Sequence, residues 1–323
     1  GGSHHTCPAC QQSRRFKRKR RIRFATLHNG GVNTFETTLH SSTDEDLLCV
    51  PGICLGFRPT ESCVVLGISE NHVEFCVRAD LDWLDEGGAA LVEQVEAVVR
   101  TLESSSFVVC GYTENPGEHS ERLVRFASEI KGTVTDVLVA ASDRYWIVTP
   151  LGLTPPEGCA WDPAATALFA EAVYLGIQVA PNRAEVIAEV CPSGEPAEAE
   201  FLTESALEYI AELGQGQRRE LMEKLLAGGE PLLPVEGAQL AVLVGDPGLA
   251  GDVVARLDRD SAAKLRPRIA YARRMCSEAQ ASEVLAMLSL ICWYDNQGAQ
   301  QTECLDQLEK LAPRHRLLPL LRG

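Results

Sequence analysis

Ser62-Cys63-Val64-Val65-Leu66-Gly67-Ile68, followed after Ser69-Glu70-Asn71 by His72-Val73-Glu74-Phe75-Cys76-Val77-Arg78, decides the fold. Two β-branched or alternating runs joined by a few polar residues predict a β-hairpin. Downstream the pattern changes period. Leu91, Val95, Val98, Val99 and Leu102 fall on one helical face. Phe107 to Tyr112 returns to strand, and Leu123, Phe126, Ala127 and Ile130 form a second amphipathic stripe ending near Gly132. Val134 to Ala140 and Tyr145 to Val148 then read as strands turning at Ser142-Asp143. Upstream, Phe35 to His40 reads as a short strand. Ser42-Thr43-Asp44-Glu45 has capping-box spacing, with Pro51-Gly52 expected to interrupt the helix it starts. Asp162-Pro163 should open another helix running to about Leu175, with Pro at its first position. Interleaved strands and helices predict an α/β fold over 33–192, a mixed sheet flanked by helices.

Beyond this block the character changes. Cys191 to Ala199 is a linker by composition, placed at 193–201, and 202–323 reads as an all-α helical domain. Its helices are expected at 203–213, 216–227, 236–244, 248–257, 261–276, 279–294 and 299–311. The last pair, with Trp293, Tyr294, Gly298-Ala299, Leu305 and Leu308, suggests a tetratricopeptide-like end. One such hairpin is visible, so a helical bundle with a repeat-like end is the expected form.

The net charge of −15 conceals a division. Residues 1–24 carry eight bases and no acid: Arg14, Arg15, Lys17, Arg18, Lys19, Arg20, Arg21 and Arg23. The remaining 299 residues carry 22 basic and 45 acidic side chains, a balance of −23. An acidic body repels nucleic acid and anionic membranes. The stretch 1–32 is expected to be a disordered tail. Its basic run, with Phe16 and Phe24 interleaved, could bind a polyanion such as nucleic acid, or fold onto the acidic body. The longest nearly apolar run, Val284 to Tyr294, is broken by Ser289 and far short of the roughly 18–20 residues a spanning helix needs. No N-terminal apolar region suggests a secretory signal. Twelve cysteines, mostly single within apolar runs, suggest buried thiols in a reducing cytoplasm. Cys7 and Cys10 have the spacing of half a zinc site. No other cofactor is expected.

A set of blocks resembles an actinobacterial and actinophage family catalogued only as a domain of unknown function. They are Leu55-Gly56-Phe57-Arg58-Pro59 with Ser62, Gly111-Tyr112, Arg144-Tyr145-Trp146, Pro155-Pro156-Glu157-Gly158, Asp258-Arg259-Asp260 and the Trp293 to Ala299 hairpin. The similarity spans about residues 36–323 and implies a bacterial cytoplasmic setting without implying an activity. Where the family often carries a Cys pair, this chain has Leu153 and Thr154.

No dinucleotide fingerprint, Walker loop, nucleophile elbow or His-Glu-x-x-His motif occurs. His72 and His119 are expected to be exposed or structural. Arg58, Ser62, Tyr112, Arg144 and Glu157 lie on loops and strand ends that could gather at one sheet edge, where guanidinium groups would suit an anionic ligand. The leading expectation is nonetheless a non-catalytic cytoplasmic protein acting through a protein partner. Nucleic-acid association through the tail and an enzyme or sensor for an anionic small molecule are the alternatives.

Overall fold

The computed structural model describes residues 20–28, 31–41, 43–69, 72–86, 88–102, 106–148 and 154–322. The chain divides into two compact units, before and after the Asn182–Arg183 bond. That point precedes the expected linker at 193–201.

The first unit carries a mixed six-stranded sheet in the order β4-β3-β5-β6-β7-β8. The strands are β3 (Ser62–Ser69), β4 (His72–Asp80), β5 (Ser106–Tyr112), β6 (Thr133–Ala140), β7 (Arg144–Ile147) and β8 (Cys159–Ala160). The decisive hairpin is β3–β4, antiparallel from Ser62↔Asp80 to Ser69↔His72 with a register shift after Gly67. β5 and β6 are parallel, so a crossover helix must join them, and α4 (Pro116–Glu129) does so. The other neighbouring strands of this sheet run antiparallel.

Period-two alternation divides the core between the two faces. Val64, Leu66, Val108, Cys110 and Leu138 belong to one apolar cluster with Leu48 and Val50 of α1 (Asp44–Leu55) and Leu168 of α5 (Ala167–Tyr174). Cys63, Val65, Val109 and Val139 belong to the other, with Leu91 and Val95 of α3 (Gly88–Leu102) and Leu123 and Phe126 of α4. α2 (Trp83–Glu86) lies between β4 and α3 in the chain. Gly111 is needed here because a Cβ would stand 2.2 Å from Leu123 Cδ1.

Local differences from expectation have physical reasons. The cap of α1 is Thr43 rather than Ser42. Its hydroxyl accepts from Asp46 N at 3.1 Å, and Asp46 Oδ2 accepts from Thr43 N at 3.2 Å. The helix continues through Pro51 to Leu55, because burial of residues 46–53 outweighs the lost bond at proline. Asp162 caps only a 3₁₀ turn, Pro163–Ala165, and Thr166 then caps α5. A separate antiparallel pair, β1 (Arg20–His28) and β2 (Gly31–Ser41), begins inside the stretch read as a tail.

The second unit contains helices α6 (Arg183–Ala188), α7 (Pro196–Ala211), α8 (Gln215–Ala227), α9 (Pro234–Val244), α10 (Pro247–Val254), α11 (Arg259–Met275), α12 (Ala281–Tyr294), α13 (Gly298–Leu311) and α14 (Leu318–Arg322). Pro196 occupies the first turn of α7, where its missing donor costs nothing, so this helix starts inside the expected linker. One apolar cluster runs from Ile210 and Met222 through Leu240 and Ile269 to Leu288 and Leu308. Within it α11, α12 and α13 pack in succession. Among the described residues no helix is long and apolar enough to cross a membrane.

The buried thiols give a pH prediction. Burial pushes Cys63 up to about 12. Burial also pushes Cys49 up to about 11, against a lowering by its hydrogen bond with Thr166. An unfolded chain ionises its thiols near pH ~8.5. As pH rises through that value the unfolded state loses protons that the native state keeps, so stability falls. The urea midpoint should therefore drop steadily above pH ~9, and Cys63→Ala should flatten the slope. An unaltered slope in the variant contradicts the assignment.

Candidate functional site

The sheet places two of the five expected edge residues, Ser62 and Tyr112, on one row. Ladder partners across it are Asp80, Ser62, Tyr112, Ala140, Tyr145 and Cys159, with Arg144 one residue beyond. The side chains of Ser62, Tyr112, Arg144 and Arg58 have protein partners. Ser62 is buried, donates to Thr60 O at 2.7 Å and accepts from Arg78 Nε at 2.9 Å. The Tyr112 hydroxyl donates to Leu48 O at 2.7 Å within the core, and burial drives its pKa well above the usual phenol value. Arg144 donates to the carbonyls of Glu157 and Gly158 at 2.9 and 3.3 Å, while Trp146 Nε1 reaches Pro156 O at 3.0 Å. These bonds hold the Pro-Pro-Glu-Gly loop against the sheet. Gly158 completes it at φ 76, with the space a Cβ would need filled by the Trp146 ring. Glu157 is exposed, and its contact with Arg144 is through the backbone. Arg58 is exposed and lies over the Phe169 ring at 5.7 Å, its backbone bonded to Ala180. The row is therefore shared by Ser62, Tyr112 and the Arg144 loop, whereas Arg58 is engaged with α5.

A second polar cluster at this edge was not singled out by residue type. Glu61, in the left-handed region at φ 42, accepts from Thr113 Oγ1 at 3.1 Å and Glu114 N at 3.0 Å. Its carboxylate stands 4.0 Å from Nε2 of buried His119. His119 Nδ1 lies 2.9 Å from Arg122 Nη1. A guanidinium can only donate, so Nδ1 accepts and the neutral ring carries its proton on Nε2, facing Glu61. Arg122 also donates to Leu81 O at 3.2 Å and pairs with Asp85. A shallow cleft lined by Leu84, Asp85, Arg122, Arg125, Phe126 and Glu129 adjoins it. The only advance signal was the three-residue spacing of His119 and Arg122, which puts both on one helix face. Chemically the cluster ties β3, β5 and α4 together, in keeping with a structural histidine.

In the helical unit, Arg266 bonds Asp295 at 2.7 Å and Glu189 at 2.9 Å, while Gln300 joins Glu189 at 2.8 Å and Val186 O at 3.0 Å. This network links α6, α11, α13 and the end of α12. Asp258 caps α11: its carboxylate accepts from Ser261 N at 2.8 Å, and the Ser261 hydroxyl and amide hold its pKa down. Among the described residues no His, Cys, Asp and Glu group could hold a metal ion. Cys7, Cys10 and the basic residues from Arg14 to Lys19 lie outside the described residues, and Arg20, Arg21 and Arg23 fall on β1.

The architecture defines a two-unit protein, a mixed-sheet α/β unit followed by a helical one. Residues 46–323 match the family described as Domain of unknown function (DUF4192), and the chain belongs to it. No curated protein and no solved structure gives a significant match.

Proposed function

We propose that this protein is a cytoplasmic macromolecular-interaction protein whose docking element is the helical unit. The observation that carries the reading is exposure: Phe201 of α7 is 70% exposed, and Tyr209, Leu233 and Leu320 also stand in water. Large apolar side chains held out by a well-packed bundle contribute nothing to its core, and such positions mark protein contacts more than they mark catalysis. The polar residues at the sheet edge support the same reading, since Tyr112 and Arg144 are engaged in holding α1 and the Pro-Pro-Glu-Gly loop.

A photo-crosslinking residue placed at 201, 209 or 233 in the native host is expected to give discrete adducts of higher mass. The same residue at exposed, polar Gln215 should give none. Equal labelling at all four positions, or none at any, contradicts the reading.

A further inference from the structure

We propose that the outer face of α7 binds a basic peptide segment of a partner protein, rich in arginine or lysine and carrying an apolar side chain. The inference rests on the preceding reading and names its partner class.

α7 buries Thr203, Ala206 and Ile210. Phe201 lies on the opposite side, and Glu198, Glu204 and Glu208, at −3, +3 and +7, are its neighbours on the helix surface. From Glu195 to Glu212 the chain carries six glutamates and no base. All six are exposed, and among the described residues none takes part in an ion pair. Glu200, Glu204, Glu208 and Glu212 follow one another at i, i+4, a spacing at which like charges repel and destabilise a helix. Elsewhere in the unit, exposed acids do find bases, as Asp252 does in Arg219 at 2.9 Å. On α7 the repulsion is unrelieved within the described chain.

A cationic ligand relieves it. An aromatic face attracts a guanidinium or ammonium group, and flanking carboxylates accept its N–H donors in paired hydrogen bonds. The phenyl ring in turn offers apolar contact to a side chain next to the cations. Nucleic acid and anionic lipid are repelled by the same carboxylates. Charge complementarity thus selects a basic polypeptide.

The test uses the full chain and a fluorescent synthetic peptide with arginines at i, i+4 and one leucine, read by anisotropy. Binding is expected at low salt, weakening by about tenfold or more when salt is raised past physiological strength. The double variant Glu204→Lys/Glu208→Lys should weaken it by about tenfold or more, and Phe201→Ser, which keeps every charge, by about threefold or more. Circular dichroism should show undiminished helicity in both, because one removes repulsion and the other alters an exposed side chain. No binding, or binding that either variant leaves unchanged, overturns the proposal. An adduct at position 201 with a partner segment lacking basic residues would also overturn it while leaving the interaction reading intact. Absence of adducts would fall on that reading.

Discussion

Asp46→Ala is expected to lower the stability of the sheet-bearing unit by about 2–4 kcal/mol, measured by urea denaturation. Asp46 is 2% exposed, and its two oxygens serve different elements. Oδ2 accepts from Thr43 N and closes the capping box of α1, while Oδ1 accepts from Leu168 N at 3.3 Å in the first turn of α5. Removing the carboxylate leaves both donors without these partners, the second inside the core, and each such loss costs roughly 1–3 kcal/mol. Asp46→Asn keeps one acceptor and should cost about half as much as Asp46→Ala. Thr43→Ala removes an exposed cap alone and should cost about 1 kcal/mol. The substance of the prediction is the order of damage: Asp46→Ala the greatest, Asp46→Asn next, Thr43→Ala the least. If loss of the exposed cap equals loss of the Asp46 carboxylate, the bond to α5 contributes nothing.

The same residue illustrates how far local pattern carries. The hairpin at 62–80, the crossover helix after Tyr112 and the seven main helices beyond 195 were legible because each repeats its period over two or more turns or pairs. The capping box was displaced by one residue because Ser42-Thr43-Asp44-Glu45 and Thr43-Asp44-Glu45-Asp46 offer the same chemistry. The long-range bond from Leu168 to Asp46 favours the second, and no window of sequence contains it. The two-residue strand Cys159–Ala160 is likewise set by its partner Arg144–Tyr145, since two residues have no period. The candidate site was legible as a row and not as a set of free groups. Residue type shows that Tyr112 and Arg144 can bind an anion, while the carbonyls of Leu48, Glu157 and Gly158 they bind instead are invisible in any side-chain pattern.

Arg273→Ala is expected to destabilise the helical unit by about 2–4 kcal/mol, whereas Arg273→Met should lie within about 1 kcal/mol of the parent or above it. Arg273, on α11, is 2% exposed, and among the described residues no carboxylate lies within ion-pair distance of it. Its Nε and one Nη donate to Gln307 Oε1 at 3.2 and 2.9 Å, and the other Nη has no protein partner. Burial raises the Cys276 thiol beside it, and the guanidinium charge pulls that thiol partway back. A guanidinium stays protonated in any such setting, so its desolvation is met by an amide oxygen and nearby thiols rather than by a counter-charge. The charge therefore costs the fold, while the aliphatic stem contributes packing against the core. Ala removes the stem and leaves a cavity; Met keeps most of the volume and discards the charge. Thermal or chemical denaturation of the two variants separates these contributions. If Met proves as damaging as Ala, the guanidinium itself stabilises the bundle, and the packing account of this position is wrong.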